Sequence, residues 1–367
     1  MTEQLTQNPV AEAAPAAPQH ARLTASRGLP DWLAKENIAL AISNYQHGCL
    51  FFIGRGPDGK LRSHERKIER CQGIWADGQS LWVSNRHLLW RFENVVPANH
   101  MTKEGFTHKY VPFEARVTGA IDCHDIAMAE VDGLLQPIFI NTAFNCLATI
   151  SQSRSFKPLW RPKFISKIAA GDRCHLNGLA MEGHRAAYVT AVGTSDTVDS
   201  WRDQRWDGGV LMDVASHEIV AQGLSMPHSP RLYRGKLWLL NSGTGEFGTI
   251  DLQSGQFTAV CTCPGFARGL DFSGDYAVIG LSMPRNGKAF TGLPLDDALL
   301  ARGHEARCGL MVVNLRSGRT EYIVNFAEPI TELYDVKVLP NVRGAEAIGF
   351  LNDDIKNYIT IETGPGS

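Results

Sequence analysis

The chain is short of most features that announce a function. Its 36 Lys and Arg are balanced by 38 Asp and Glu, giving a formal net charge of -2. It therefore lacks the clustered positive charge that nucleic-acid or anionic-membrane binding by counterion release demands. No run approaches the roughly 18 uninterrupted apolar residues needed to span a bilayer. None of the eight cysteines stands in a C-x-x-C pair, which excludes a zinc knuckle and a thioredoxin-like site. Cys261 and Cys263 alternate along a strand-like run, so their thiols point to opposite faces. There is no G-x-S-x-G elbow for a serine hydrolase, and Gly54-Arg55-Gly56 lacks the following helix and third glycine of a dinucleotide fingerprint. Helical periodicity is confined to PLDDALLARGH, which disfavours a parallel α/β fold.

The opening MTEQLTQNPVAEAAPAAPQHARLTASRG is rich in Ala, Pro and Gln and lacks the basic start and apolar stretch of a secretory signal. It offers too little apolar surface to offset the entropy of ordering it. The reading is a disordered tail over residues 1–28 and a single domain over 29–367, in a reducing compartment, the cytoplasm, with free buried thiols.

What is present is a repeated short sentence. A polar turn leads into a strand, a Gly-containing turn, and a second strand ending in Asn, Ser or Thr. The copies are CQGIWADGQSLWVSN, CHDIAMAEVDGLLQPIFINT, LNGLAMEGHRAAYVTA, HSPRLYRGKLWLLNS, ARGLDFSGDYAVIGLS and LYDVKVLPNVRGAEAIGFLN. Aligned at Gln72, His124, Asn177, Ser229, Arg268 and Tyr334, the first three steps are 52, 53 and 52 residues, about the length of one four-stranded propeller blade. The last copy has only two clear strands, and strands without an opening partner precede the first copy. The expectation is an all-β, six-bladed β-propeller closed by N-terminal strands joining the C-terminal blade, which leaves no open sheet edge.

At HLNGLAMEGHRAAYVTAVGTSD the chain resembles the NGLA-type repeat of gluconolactonase/regucalcin and strictosidine-synthase-like six-bladed propellers. Through CHLNGLAM, MPHSPRLY and FARGLDFSGDYAVIGLSMPR it also resembles a bacterial family of conserved hypothetical propellers, over nearly all of the chain beyond the tail. The second resemblance implies a fold and no activity. The first implies a divalent ion at the axial mouth, held by a Glu, two Asn and an Asp. Only Asn177 matches that set by motif, so the site does not carry over as a whole.

In a propeller the inner strands all start at one face, so the residues there gather around the axis, where ligands sit. The ring read from the repeat is Gln72, His124, Asn177, Ser229, Arg268 and Tyr334. Two residues earlier stand Arg70, Asp122, His175, Pro227, Phe266 and Glu332. The apolar set between, from Cys71 to Leu333, faces between blades by strand alternation. Two chemistries fit. His124, His175, Asp122 and Glu332 could hold a divalent metal ion. Alternatively, Arg70 and Arg268 grip an anion, Gln72, Asn177, Ser229 and Asn241 supply hydrogen bonds, and His124 with Asp122 and Tyr334 does acid/base work.

Residues 193–209 and 283–308 are longer than hairpins need, and such insertions serve binding or act as lids. The expected function is binding, with hydrolytic or acid/base conversion, of a polar anionic small metabolite at the mouth. The other reading is a non-catalytic scaffold that meets a protein partner or a second copy through those two loops. Nucleic acid and membrane are not expected partners.

Overall fold

The structure is a computed structural model and describes residues 21–283, 292–350 and 353–361. Among the described residues six sheets of four or five strands, antiparallel but for one added segment, stand around one axis. Their inner strands are Ile74–Ala76 (blade I), Cys123–Val131 (II), Leu176–Glu182 (III), Pro227–Tyr233 (IV), Phe266–Ser273 (V) and Val336–Pro340 (VI). In blades I to V each inner strand opens its own sheet and the next three strands follow outward in sequence order. Blade VI takes its inner strand from the C-terminal part and its other three, Ile38–Asn44, Cys49–Arg55 and Leu61–Lys67, from the N-terminal part. This is the six-bladed closure the repeat implies.

The ends depart from expectation in three places. The last copy supplies one strand to blade VI, not two. Its second segment, Ala345–Ala347, instead lies parallel to the outer strand of blade I. Leu23–Ala25, assigned to the tail, pair with the outer strand of blade V; residues 1–20 lie outside the described residues. A helix, α1 (Leu29–Glu36), follows. Leu29, Trp32 and Leu33 form its buried stripe, and Trp32 packs against Tyr276 and Tyr322 at 5.5 and 5.6 Å. The expected helix is present as α2 (Pro294–Ala301). Among the described residues no helix is long and apolar enough to cross a membrane. All eight cysteines are free, and burial raises the thiol pKa of Cys49 to about 11 and of Cys146 to about 12.

The hydroxyl ending of the repeated sentence has a physical cause. Ser84 Oγ donates to the Cys123 carbonyl at 3.3 Å, Thr142 Oγ1 to Leu176 at 2.6 Å, Ser242 Oγ to Ala267 at 2.6 Å and Ser282 Oγ to Leu333 at 3.0 Å. Each hydroxyl at the end of a second strand thus ties its blade to the start of the next inner strand. At Cys123 the hydroxyl shares the carbonyl with the Gly73 amide, which donates to it at 3.1 Å.

The inner strands also approach each other closely. Gly269 in blade V has φ +78°, and a Cβ there would lie 2.6 Å from the Val336 amide of blade VI. Gly183 has φ +57° and nothing within 4 Å. Gly269→Ala is expected to cost about 3 kcal/mol and Gly183→Ala only about 1 kcal/mol in urea unfolding. Equal costs would mean that the blade V to VI contact is not tight.

Candidate functional site

At the rim where the inner strands start, the chain repeatedly enters the left-handed region. Arg70, Asp122, His175 and Met226 have φ of 49°, 50°, 50° and 45°. Non-glycine residues with positive φ are strained and cluster at functional sites. Here the bend sits two residues ahead of Gln72, His124, Asn177 and His228. Blade IV therefore aligns one residue earlier than the sequence reading placed it. His228 Nδ1 meets the Met226 carbonyl at 2.8 Å just as His124 Nδ1 meets that of Asp122 at 3.0 Å. Ser229 instead accepts the Gly269 amide at 3.2 Å and links blades IV and V.

A cavity of about 270 Å³ lies at the mouth, lined by Tyr45, Gln72, Asp122, His124, Asp172, His175, Trp201, Arg202, Met226, Arg268 and Tyr334. Five sequence-distant blades thus bring the expected Gln72, Asp122, His124, His175, Arg268 and Tyr334 together. A larger cleft of about 990 Å³ adjoins it, with Tyr45 in both walls and Arg70 and Glu332 in its lining. Asn177, Ser229 and Asn241 do not line the cavity. Asn177 accepts from Thr190 Oγ1 at 2.8 Å and faces His228 Nε2 at 3.4 Å, and Asn241 accepts the Ser225 amide at 2.8 Å.

Arg268, only 6% exposed, is the hub. Its Nη2 donates to His124 Nε2 at 3.1 Å, its Nη1 lies 3.4 Å from Glu332 Oε1, and its guanidinium carbon sits 4.0 Å from the Tyr334 ring centroid. Among the described residues its Nε has no hydrogen-bond partner. Tyr334 Oη accepts from Gln72 at 3.2 Å, and Gln72 also donates to the Asp122 carboxylate.

These contacts revise the roles read from sequence. His124 Nε2 accepts from Arg268, so Nδ1 carries the proton and donates to Asp122 O and to Thr142 Oγ1 at 2.7 Å. Burial, with the charges of His175 and Arg268, outweighs Asp122 and lowers the His124 pKa to about 4. Its imidazole is neutral and both nitrogens are occupied, and the Asp122 carboxylate is 3.8 Å away. The His124 and Asp122 pair is thus a structural contact and not a poised acid/base couple. Burial pushes the Tyr334 hydroxyl well above the usual phenol range, so it stays protonated and serves as a hydrogen-bonding group. Burial opposes ionisation of Asp122, but His124, His175, Gln72 and Arg268 around it hold its carboxyl below the ordinary value.

The metal reading of His124, His175, Asp122 and Glu332 meets the same obstacle. A guanidinium stands between His124 and Glu332, repelling a second cation, and the imidazole nitrogens of His124 have other partners. Among the described residues no group of three or more His, Cys, Asp or Glu could hold a metal ion.

The group sequence reasoning missed is Asp172, three residues before His175 in the loop GDRCH. Its Oδ1 accepts the His175 amide at 2.9 Å and its Oδ2 meets His175 Nδ1 at 2.6 Å. The D-x-x-H spacing was its only signal, and the residue lies outside the repeated copies. His175 stacks on Trp201 at 4.1 Å and 23° and meets the His124 ring edge-on at 4.8 Å. Trp201 is buried and brings the 193–209 segment over the mouth. There it joins Leu293, Leu295 and Leu299 of the α2 region, with Met226 and Phe266. His304, Glu305 and Arg307 are exposed and do not line the cavity, and residues 284–291 of that loop lie outside the described residues.

Over residues 27–348 the chain matches the family profile described as Domain of unknown function (DUF4915). No curated protein matches. Among solved structures it is similar to a chain of a nidogen/laminin complex, with a TM-score of 0.50 at 10% identity over 83% of this chain and 98% of that one. It also matches a protein of unknown function from Bacteroides caccae, with a TM-score of 0.46 at 8% identity over 82% and 98%. The nidogen/laminin match supports the propeller fold. Neither structure bears on the gluconolactonase resemblance.

The buried histidines make stability depend on pH. His124, His64 (also lowered to about 4 by burial) and His228 (well below its usual value, again by burial) must each take up a proton on acid unfolding. Their contribution is complete above pH 6.5 and is lost as the pH falls towards 4. Asp335, raised to about 6 by burial, works in the opposite direction over part of that window, but one group faces three. The melting temperature at pH 5 is expected to lie about 5 °C or more below that at pH 7.5, with a shallower dependence in His124→Asn. A flat profile in the parent protein would contradict the assignment.

Proposed function

We propose that this chain, which belongs to the family described as Domain of unknown function (DUF4915), binds a small polar anion at the axial mouth of its propeller. The ligand class is a metabolite carrying a carboxylate or phosphate. The observation that carries this reading is the Arg268 guanidinium. It is buried on the cavity wall with one N–H unpartnered among the described residues, and its contact to Glu332 is long for a charge-assisted hydrogen bond. A buried donor without an acceptor costs on the order of 1–3 kcal/mol. An anion in the cavity would be drawn by the guanidinium charge, and a small shift of the side chain would let the Nε–H find an acceptor.

Other groups favour the same ligand. Arg202 lines the cavity and stacks on Trp201 at 4.4 Å. The Tyr334 hydroxyl, which accepts from Gln72, keeps its own proton to donate to a ligand, and Arg70 borders the adjoining cleft. The volume lies at the low end for ligand pockets, which suits a compact molecule. The scaffold reading draws on Trp206, which is 56% exposed in the 193–209 segment. The other indole of that segment, Trp201, is turned into the mouth, which favours the small-molecule reading.

Calorimetric titration with sulfate and with malonate, in buffers matched in ionic strength with chloride, tests the proposal. Binding of at least one of the two is expected. Its affinity should fall about tenfold or more in Arg268→Gln and about threefold in Arg202→Ala. Arg202 is a surface side chain, so its variant should keep the parent melting temperature within about 1 °C. Absence of binding by both anions, or unchanged affinity in both variants, overturns the reading.

A further inference from the structure

The mouth holds two histidines in opposite situations. His124 has both ring nitrogens engaged. His175 has its Nδ1 held by the Asp172 carboxylate, which accepts a hydrogen bond from Nδ1–H and leaves the Nε2 lone pair available. Among the described residues His175 Nε2 has no hydrogen-bond partner, while His175 and Asp172 both line the cavity. Asp172 grips the same residue twice, at backbone and ring, so the imidazole orientation is fixed before any ligand arrives. Trp201 covers one face of the ring.

We infer that Asp172 and His175 form the proton-exchanging pair of the mouth, with His175 the catalytic acid–base acting on the bound anion and Asp172 its positioning residue. The inference rests on anion binding at Arg268 and adds the chemistry done there. The substrate class is a compact oxyacid carrying an acidic O–H or activated C–H bond, and the reaction class is proton transfer leading to isomerisation. As the ligand's O–H or C–H bond breaks, an N–H bond forms at His175 Nε2 and the electron pair stays on the ligand. The resulting negative charge is shared with the Arg268 guanidinium. Return of the proton to a different atom of the ligand, with the double bond shifted accordingly, completes the isomerisation, so no oxidant, reductant or second substrate is consumed. No thiol or hydroxyl competes as nucleophile among the cavity residues except the phenols of Tyr45 and Tyr334.

The contact with Trp201 makes the proton on His175 observable, because an imidazolium touching an indole quenches its fluorescence. The groups that face His175 are Asp172 on its own loop, His124 and Asp122 from blade II, and Trp201 with Arg202 from the 193–209 segment. Arg268 stands beyond His124, and His228 of blade IV acts on the same cluster. A pH titration of tryptophan emission, taken as parent minus Trp201→Phe, isolates this indole from the other seven tryptophans.

Quenching on acidification is expected in the parent and absent in His175→Gln. Its midpoint should fall by about one pH unit in Asp172→Asn, which removes the charge that stabilises the imidazolium. Saturating sulfate, whose charge is constant over the range, should raise the midpoint by about one unit, a tenfold preference for the protonated mouth. Matched chloride should not. Quenching that persists in folded His175→Gln, verified by circular dichroism, overturns the assignment of the proton to His175. An unmoved midpoint in Asp172→Asn, or one that ignores sulfate already shown to bind by calorimetry, overturns the linkage while leaving the anion site intact. Failure of sulfate and malonate to bind at all strikes the anion site itself.

Discussion

The fold depends on satisfying backbone groups where the six inner strands face the axis. Each inner strand has a ladder partner on one side only, and a buried edge with unpaired N–H and C=O groups is costly. Carboxylates from the neighbouring blade meet that demand. Asp125 accepts the Leu179 amide at 3.0 Å, Asp271 accepts that of Val338 at 2.8 Å and Asp335 accepts that of Ile74 at 3.0 Å. Arg231 completes the set, bridging Asp125 at 2.7 Å to the Leu179 and Leu270 carbonyls at 2.7 and 3.1 Å. A buried carboxylate is tolerable only when paired and hydrogen-bonded, and here each charge closes a gap between two blades. The ring is cemented largely by side chains, with isolated backbone hydrogen bonds such as Gly73 N–H to the Cys123 carbonyl at 3.1 Å adding to them.

The same convergence makes the mouth. Once the inner strands are fixed side by side, the left-handed bends at Arg70, Asp122 and His175 set the residues that follow around a common cavity. Low polarity there has opposite effects on neighbouring groups. It keeps His124 neutral and locked to Arg268, whose Nε has no partner among the described residues. His175 sits nearer the rim, with a carboxylate at its back and an indole on its face. Two adjacent histidines thus differ by what surrounds them, and the proposed reading gives them different parts, His124 fixing Arg268 and His175 exchanging the proton.

Much of this was legible because propeller blades repeat. The recurring Asn, Ser or Thr at the close of the second strand marked the blades, and aligning copies brought Gln72, Asp122, His124, His175, Arg268 and Tyr334 to one end of one axis. Sequence could not show what those side chains touch, so the metal set and the His124 and Asp122 couple were drawn from residue type alone. The placement of Arg268 between His124 and Glu332 argues against both. Ser229 was chosen over His228 because a register shift follows His228 in blade IV, and a repeat count cannot see a bulge. Asp172 lies in a loop with no counterpart in the other copies. The helix α1 buries only Leu29, Trp32 and Leu33 and follows directly on the Ala- and Pro-rich opening, against which that spacing does not stand out.

The central claim is that the unpartnered Arg268 donor marks a ligand site. Its most direct test is a crystal of the protein soaked in selenate, with data collected at the selenium edge. An anomalous peak within hydrogen-bonding distance of Arg268 Nε, facing His175, is the predicted result. Selenate found only at surface arginines such as Arg70, with Arg268 Nε still lacking an acceptor, would contradict the account.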